Sequence, residues 1–263
     1  ANMLWGMYGF RSFHSILPGS AFEYYSGMGF SRSVNTDPDG SYYAMRSVNS
    51  TKYLIIQSYK LEYSDTKTLL ENLKNFEKID EQDGFTIFKN KAYIPIGYSN
   101  SYYISDDEYE KIAKSNRDNM LARAVVLTDE QIEKYSDILP ELEPDRYSDF
   151  NYYTFEKDAQ ELAKTAVDTF TPTANGFKAT SSFTEDRFVT FTVPWESGWS
   201  ATINGEKAEI EKVNRGVMGI KVPAGECKIE FNYVTPGLKA GVVCTIGAAF
   251  IICLLYTSPS PRD

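Results

Sequence analysis

The chain of 263 residues has little cysteine and almost no histidine, with three Cys and a single His. The cysteines Cys227, Cys244 and Cys253 are too few to build a disulfide framework or a metal cluster. A Ser-His-Asp, Cys-His or histidine-rich zinc arrangement would have to use His14, and no Gly-x-Ser-x-Gly motif lies near it. We therefore expect His14 to be structural or solvent-facing, and we predict neither a cofactor nor a bound metal.

Basic residues are also in the minority. Lys and Arg number 27 against 36 Asp and Glu, which gives a formal net charge of −9. Phosphate backbones are bound by clustered Lys and Arg, so this balance argues against a nucleic-acid partner and disfavours docking on anionic lipid. With 42% hydrophobic and 24% charged residues, the chain has the composition of a folded protein long enough for two domains.

Acidic side chains cluster at Asp106, Asp107, Glu108 and Glu110. Such a cluster could supply metal ligands or the paired carboxylates of glycoside hydrolysis. The cluster also follows Ser105 in a capping-box pattern, and acids in a first helical turn complement the helix dipole and the free backbone amides. We prefer this structural interpretation and predict no catalytic residue in the cluster.

Charge is absent from one long segment near the C-terminus. Residues 240–256 form an uninterrupted apolar run, which is at the short end of what spans about 30 Å of hydrocarbon. A buried core helix is the alternative, but a helix that is apolar on every face needs a large domain around it. We predict the start of a transmembrane helix over residues 236–252. Residues 253–263 resemble the translation of a sequencing adapter, and the chain begins without Met, so we expect a piece of a longer protein.

Residues 149–235 are dominated by strand patterns. Apolar and polar residues alternate through residues 189–193, 199–203 and 227–233, which is the period of half-buried strands. Asn204-Gly205 predicts a tight hairpin because both turn positions can take a positive φ. A helix over residues 158–170 and a short strand over residues 152–155 precede these strands. Five or more short strands at this spacing predict an antiparallel β-sandwich.

Residues 1–148 show a mixed pattern. Strands are predicted at residues 53–56, 85–88 and 92–96, and a helix with one apolar stripe at residues 66–76. Two more helices begin at the capping boxes of Ser105 and Thr128. Strand, helix and strand in this order predict a small mixed α/β domain. Residues 136–151, with Pro140 and Pro144, lack a sustained period and are interpreted as the linker between the two domains.

Two tryptophans offer a candidate binding site. Trp195 and Trp199 flank Glu196-Ser-Gly198 at the entry to a strand. Aromatic faces beside polar side chains could stack on a sugar, whereas large aromatics at strand ends also pack the core or rim of a sandwich. We name Trp195 and Trp199 as candidate substrate-binding residues and keep both interpretations open.

Several segments together resemble one family. Residues 193–205, 212–225, 229–233 and 236–238 resemble the C-terminal part of the YfhO family of bacterial multispanning membrane proteins, and residues 2–10, 53–55 and 88–97 resemble its preceding part. The resemblance covers essentially all of residues 1–252. It implies a polytopic protein with a GT-C-type glycosyltransferase core and an extracytoplasmic region near the C-terminus, closed by a transmembrane helix at the bacterial cell membrane.

The resemblance also implies an activity for the parent protein. Family members are linked to the transfer of a sugar from a polyprenyl-phosphate carrier to a cell-envelope polymer such as lipoteichoic acid. The acidic catalytic residues of that class are expected in an early outer loop, so none is carried over to this chain. A membrane-anchored carbohydrate-binding or adhesive surface module is the alternative function. The fold class expected is α+β, and the partners expected are the lipid bilayer and, through the parent, the lipid-linked sugar and the glycopolymer.

Overall fold

The computed structural model describes residues 9, 17–31, 38 and 40–257, and it confirms the α+β fold class. A mixed α/β part precedes an antiparallel β-sandwich, and an apolar helix follows the last strand. His14, the resembling segment at residues 2–8 and 10, and residues 258–263 lie outside the described residues.

The first part contains short elements that alternate between helix and strand. In chain order they are α1 (Gly19–Gly27), α2 (Met45–Val48), β1 (Tyr53–Gln57), α3 (Ser64–Asn72), β2 (Phe76–Gln82), β3 (Phe85–Asn90), β4 (Tyr103–Ser105), α4 (Asp106–Lys111), α5 (Arg117–Met120), β5 (Val125–Leu127), α6 (Asp129–Tyr135) and α7 (Tyr152–Ala163).

Strands β1, β3 and β2 form an antiparallel sheet in that order. The β2–β3 hairpin turns at Asp83 and Gly84, whose φ angles of 51° and 78° match the turn type that twists with the strands. The apolar stripe predicted over residues 66–76 is helical only as far as Asn72, and its last residue, Phe76, begins β2. Leu73, Phe76 and Phe88 form a small core under this sheet.

Strands β4 and β5 pair in parallel, and a helix begins directly after each of them. The hydroxyl of Ser105 accepts the backbone N–H of Glu108 at 3.2 Å, so the predicted start of α4 is correct. At the start of α6, the side-chain oxygen of Gln131 accepts the backbone N–H of Thr128 at 3.0 Å. These caps satisfy amides that the first helical turn leaves without partners.

Eight strands form the sandwich. They are β6 (Thr169–Thr173), β7 (Gly176–Phe183), β8 (Arg187–Pro194), β9 (Trp199–Ile203), β10 (Glu206–Ala208), β11 (Glu211–Val213), β12 (Val217–Val222) and β13 (Gly225–Tyr233). One sheet has the order β10-β9-β13-β7-β6 and the other the order β11-β12-β8. Phe177, Phe191 and Phe231 pack in the core between the sheets. The predicted Asn204-Gly205 hairpin is confirmed, with φ angles of 52° and 87°.

Three local predictions are wrong. The predicted strand at residues 152–155 is the first turn of α7, because Asn151 caps that turn and its side-chain oxygen accepts the N–H groups of Tyr153 and Thr154 at 3.0 and 3.1 Å. Helix α7 then ends at Ala163, before the predicted end at residue 170. Residues 92–96 are not paired as a strand, although Ala92 and Ile94 are buried; Pro95 lacks the N–H that a central strand must donate.

The segment interpreted as a linker packs into the first core. Leu139 and Leu142 are fully buried there, and the buried Arg123 donates hydrogen bonds to the carbonyl groups of residues 146, 148 and 149. The same core includes Phe188, Val213 and Val217 of the sandwich. The two parts of the chain therefore share apolar contacts, and the domain boundary at residues 148 and 149 stays a prediction.

The last described element is α8 (Leu238–Thr257). Its 20 residues extend about 30 Å at 1.5 Å per residue, and none of its apolar window, Ala240–Thr257, is buried against the rest of the described chain. The described residues do not cover this helix, which favours the membrane interpretation over a core helix. The helix continues past the predicted end at residue 252.

Candidate functional site

The two predicted site residues lie at the connection between β8 and β9. Residues 195–198, here called the tryptophan loop, join β8 to β9, and Trp199 is the first residue of β9. Trp195 donates its backbone N–H to the carbonyl of Gly216 at 2.9 Å, and Trp199 donates to the carbonyl of Glu196 at 3.2 Å. Both side chains are half-buried and pack against the sandwich core. The loop geometry therefore brings the two tryptophans to the same end of the sandwich.

Ring contacts hold Trp199 in place. Its ring centroid lies 5.9 Å from that of Phe177, 6.3 Å from that of Phe231 and 5.1 Å from that of Tyr233. Such tilted and edge-on pairs are the favoured aromatic arrangements. Each tryptophan side chain thus packs partly against the sandwich core. The surface of the side chain that remains accessible is the part available to a ligand.

Hydrogen bonds join the tryptophan loop to the end of β13. Val234 donates its N–H to the carbonyl of Gly198 at 3.0 Å, and a hydrogen bond to the Glu196 carboxylate raises the pKa of Tyr233. A side chain at position 198 would overlap the carbonyl oxygen of Val234, which is why glycine stands there. The loop and the segment leading to α8 therefore form one hydrogen-bonded edge.

A second candidate site is a cavity of about 650 Å³ between the two parts of the chain. It lies at the carboxyl ends of the parallel strands β4 and β5, the position where open α/β sheets bind ligands. Helix α1, the start of α6 and the turn between β11 and β12 complete its wall. The lining offers an aromatic ring, two carboxylates, an amide and two basic groups, from Phe22, Glu23, Asp106, Gln131, Lys212 and Arg215.

The charges of the cavity are paired. Lys212 contacts Glu23, and the guanidinium of Arg215 binds Asp106 through Nε at 2.6 Å and through a second nitrogen at 3.0 Å. Arg215 also binds Glu110, and hydrogen bonds from Arg215 and Arg117 lower the pKa of that carboxyl. Two acids and two bases line the cavity, so its net charge is zero while it offers both donors and acceptors.

Gln131 is fixed within this wall. Its amide nitrogen donates to the carbonyl of Lys212 at 3.0 Å and to Glu211 at 3.2 Å. The cavity and the tryptophan loop are neighbours, because Arg215 lines the cavity and the next residue, Gly216, accepts the N–H of Trp195. The sequence predicts only a role at the start of α4 for Asp106 and Glu110; their pairing with Arg215, which is distant in the chain, has no local signal.

Metal ligands do not cluster in the part of the chain that is described: no three His, Cys, Asp or Glu side chains there could hold a metal ion. Cys227 is buried in the sandwich, whereas Cys244 and Cys253 lie on α8. The two candidate sites offer hydrogen-bond donors, acceptors and aromatic faces.

A folded β-rich domain that continues into an exposed apolar helix, long enough to cross a membrane, is typical of a membrane-associated protein. The family model for "Bacterial membrane protein YfhO" matches residues 1–149 and 146–245, and the chain belongs to this family. It is similar to the "Uncharacterized protein YfhO" of Bacillus subtilis (strain 168), with 24% identity over 106 residues. That match covers 40% of this chain and 12% of the relative. No solved structure matches the chain.

Proposed function

We propose that this chain is a non-catalytic, extracytoplasmic portion of a polytopic membrane glycosyltransferase. The parent moves a sugar from a polyprenyl-phosphate carrier to a cell-envelope polymer such as lipoteichoic acid. The observation that carries the proposal is the direct connection of a folded domain to the apolar helix α8 in a member of a membrane protein family. A lipid-linked donor is met at the membrane surface, and a domain fixed there can position the acceptor.

The candidate sites support a role in sugar contact. A sugar presents hydroxyl groups that donate and accept hydrogen bonds, together with an apolar face that packs on aromatic rings. The cavity offers paired charges, the Gln131 amide and the ring of Phe22, and its zero net charge suits a neutral ligand. The accessible faces of Trp195 and Trp199 are the second contact in this proposal.

Sugar contact is tested in the parent protein in its own membrane. Trp195→Ala with Trp199→Ala, and separately Phe22→Ala, are expected to lower the sugar content of the envelope polymer while leaving the amount of protein unchanged. Tyr153→Ala is the matched control, because Tyr153 is an exposed aromatic outside both sites. Unchanged sugar transfer in both test variants at normal protein levels would contradict the proposal.

The outer location is tested by labelling. Lys207 lies in the exposed β9–β10 hairpin, at the end of the sandwich opposite the tryptophan loop. Lys207→Cys should therefore react with a membrane-impermeant maleimide in intact cells. The parent with Lys207 unchanged is the control, and permeabilised cells give the full signal. Reaction that requires permeabilisation would place the domain on the cytoplasmic side and refute this part of the proposal.

A membrane-anchored carbohydrate-binding module is the second candidate function, and the neutral cavity favours it equally. Such a module would bind isolated glycopolymer without any lipid-linked donor. Changes in the membrane core of the parent can abolish sugar transfer. If polymer binding is retained in such a variant, the result is compatible with either function. Loss of transfer on deletion of this domain alone favours the transferase.

A further inference from the structure

The connection between the sandwich and α8 is short. Strand β13 ends at Tyr233 and α8 begins at Leu238, so five peptide steps separate them. Even when extended, these steps span at most about 18 Å. The segment is not extended, because Leu238 donates its N–H to the carbonyl of Thr235 at 3.1 Å and Gly237 has a φ of 82°. The end of the sandwich at Tyr233 therefore lies close to wherever α8 enters the bilayer.

Four chain segments meet at this end of the sandwich. They are residues 173–176, 195–198, 214–216 and 234–237, here called the tryptophan edge. Backbone hydrogen bonds join them: Tyr233 donates to Asn175 at 2.7 Å, Val234 donates to Gly198 at 3.0 Å, and Trp195 donates to Gly216 at 2.9 Å. Asn214 and Gly216 are buried against the first part of the chain, so residues 173–176, 195–198 and 234–237 form the exposed surface of the tryptophan edge. This surface is hydrogen-bonded to the segment leading to α8.

The two ends of the sandwich differ in charge. The tryptophan edge has Glu196 and Arg215 as its charged residues, and Arg215 is bound by Asp106 and Glu110. The turns at the opposite end, residues 184–186, 204–207 and 223–226, carry five charged side chains: Glu185, Asp186, Glu206, Lys207 and Glu226. Charged side chains are favoured in bulk water, and the acyl boundary beneath the headgroups disfavours them, so the weakly charged end is the one suited to contact the bilayer.

Aromatic residues reinforce this difference. Trp195 and Trp199 are half-buried at the tryptophan edge beside Tyr233, and Val234 and Leu238 are exposed next to them. Trp and Tyr favour the membrane–water interface, where the ring meets apolar chains and the polar atom meets water. We propose that the tryptophan edge sits in the phospholipid headgroup layer and holds the domain against the bilayer. This inference depends on α8 spanning the membrane and is independent of sugar transfer.

The experiment uses the full chain with α8, reconstituted in phosphatidylcholine vesicles with or without bromine on the acyl chains. Three variants each keep one tryptophan, at position 195, at position 199 or, through Lys207→Trp, at the far hairpin, with Phe at the other tryptophan positions. Bromine is expected to quench the fluorescence of the first two variants and to leave the third unchanged. Equal fluorescence with and without bromine for positions 195 and 199 would overturn the proposal.

A second measurement keeps both tryptophans and guards against misfolding of the Phe variants. A spin label at Ser197→Cys, an exposed position of the tryptophan loop, should be reached by oxygen in the lipid and shielded from a water-soluble relaxation agent. The matched label at Glu206→Cys should show the reverse. Matching water accessibility at both positions, or release of the chain from vesicles by alkaline carbonate, refutes the inference. Neither readout requires sugar transfer, so the proposed function can fail while this inference holds.

Discussion

Asn214 joins the two parts of the chain through a buried hydrogen bond. Its side-chain oxygen accepts the backbone N–H of Val126 at 2.7 Å, and its own N–H donates to the Val126 carbonyl at 3.1 Å. Both residues are almost fully buried, and Asn214 has a φ of 49°. Asparagine tolerates this left-handed conformation better than other residues with a side chain.

The substitution Asn214→Ala removes the acceptor and places alanine in the left-handed region. A buried N–H without a partner costs about 1–3 kcal/mol, and the conformation about 1–2 kcal/mol, so the free energy of unfolding should fall by roughly 2–5 kcal/mol. Asn214→Gly loses the hydrogen bond without the conformational strain. It should therefore be less destabilised than Asn214→Ala by about 1 kcal/mol.

Urea unfolding of the full chain in detergent, followed by near-ultraviolet circular dichroism, measures these differences. Asn204→Ala is the matched control: Asn204 also has a positive φ and its side chain also accepts a backbone N–H, that of Lys228 at 2.8 Å, but it is exposed. Water can replace its hydrogen bond, so we expect a cost of about 1–2 kcal/mol from strain alone. Equal stability of Asn214→Ala and the unsubstituted chain, or a glycine variant weaker than the alanine variant, would refute the reasoning.

Three further predictions concern buried groups. Burial raises the pKa of Asp118 from 3.8 to about 7. The stabilisation from its protonated carboxyl should therefore be complete below pH 4, and the free energy of unfolding should fall as the pH rises through 7. Asp118→Asn should not show this fall in unfolding curves measured across that range. Arg123→Met removes the buried guanidinium whose Nε donates to the partly buried carboxylate of Asp158 at 2.6 Å, and leaves Arg146, at 3.3 Å, as the remaining partner of that carboxylate. It should cost about 1–3 kcal/mol in urea unfolding. In Gly216→Ala the new Cβ would overlap the Ser20 carbonyl oxygen, so we expect a loss of about 1–3 kcal/mol and a lower thermal midpoint.

The sandwich could be predicted because its signals are local. Alternating apolar residues and the Asn204-Gly205 turn each specify a strand or a hairpin within a few residues. Residues 152–155 look like a strand by composition, and the helix that forms there depends on the cap at Asn151. Residues 136–151 lack a period because Leu139 and Leu142 enter the first core from irregular backbone, which periodicity cannot detect.

The two candidate sites also differ in how much of each could be predicted from local sequence patterns. Trp195 and Trp199 are close in sequence, so their shared loop could be predicted, although the ring contacts with Phe177 and Phe231 could not. The cavity brings together residues from Phe22 to Arg215, and no local pattern indicates that these segments meet. Its position at the ends of β4 and β5 could be inferred only after the two short strands were known to pair in parallel.

The shared first core has a consequence for the order of folding during synthesis. Val213 and Val217 complete that core, and Asn214 supplies the acceptor for Val126, so the first part of the chain leaves the ribosome with apolar surface still uncovered. These residues are followed closely by α8. The first core therefore cannot be completed until residues 213–217 have been synthesised, shortly before α8.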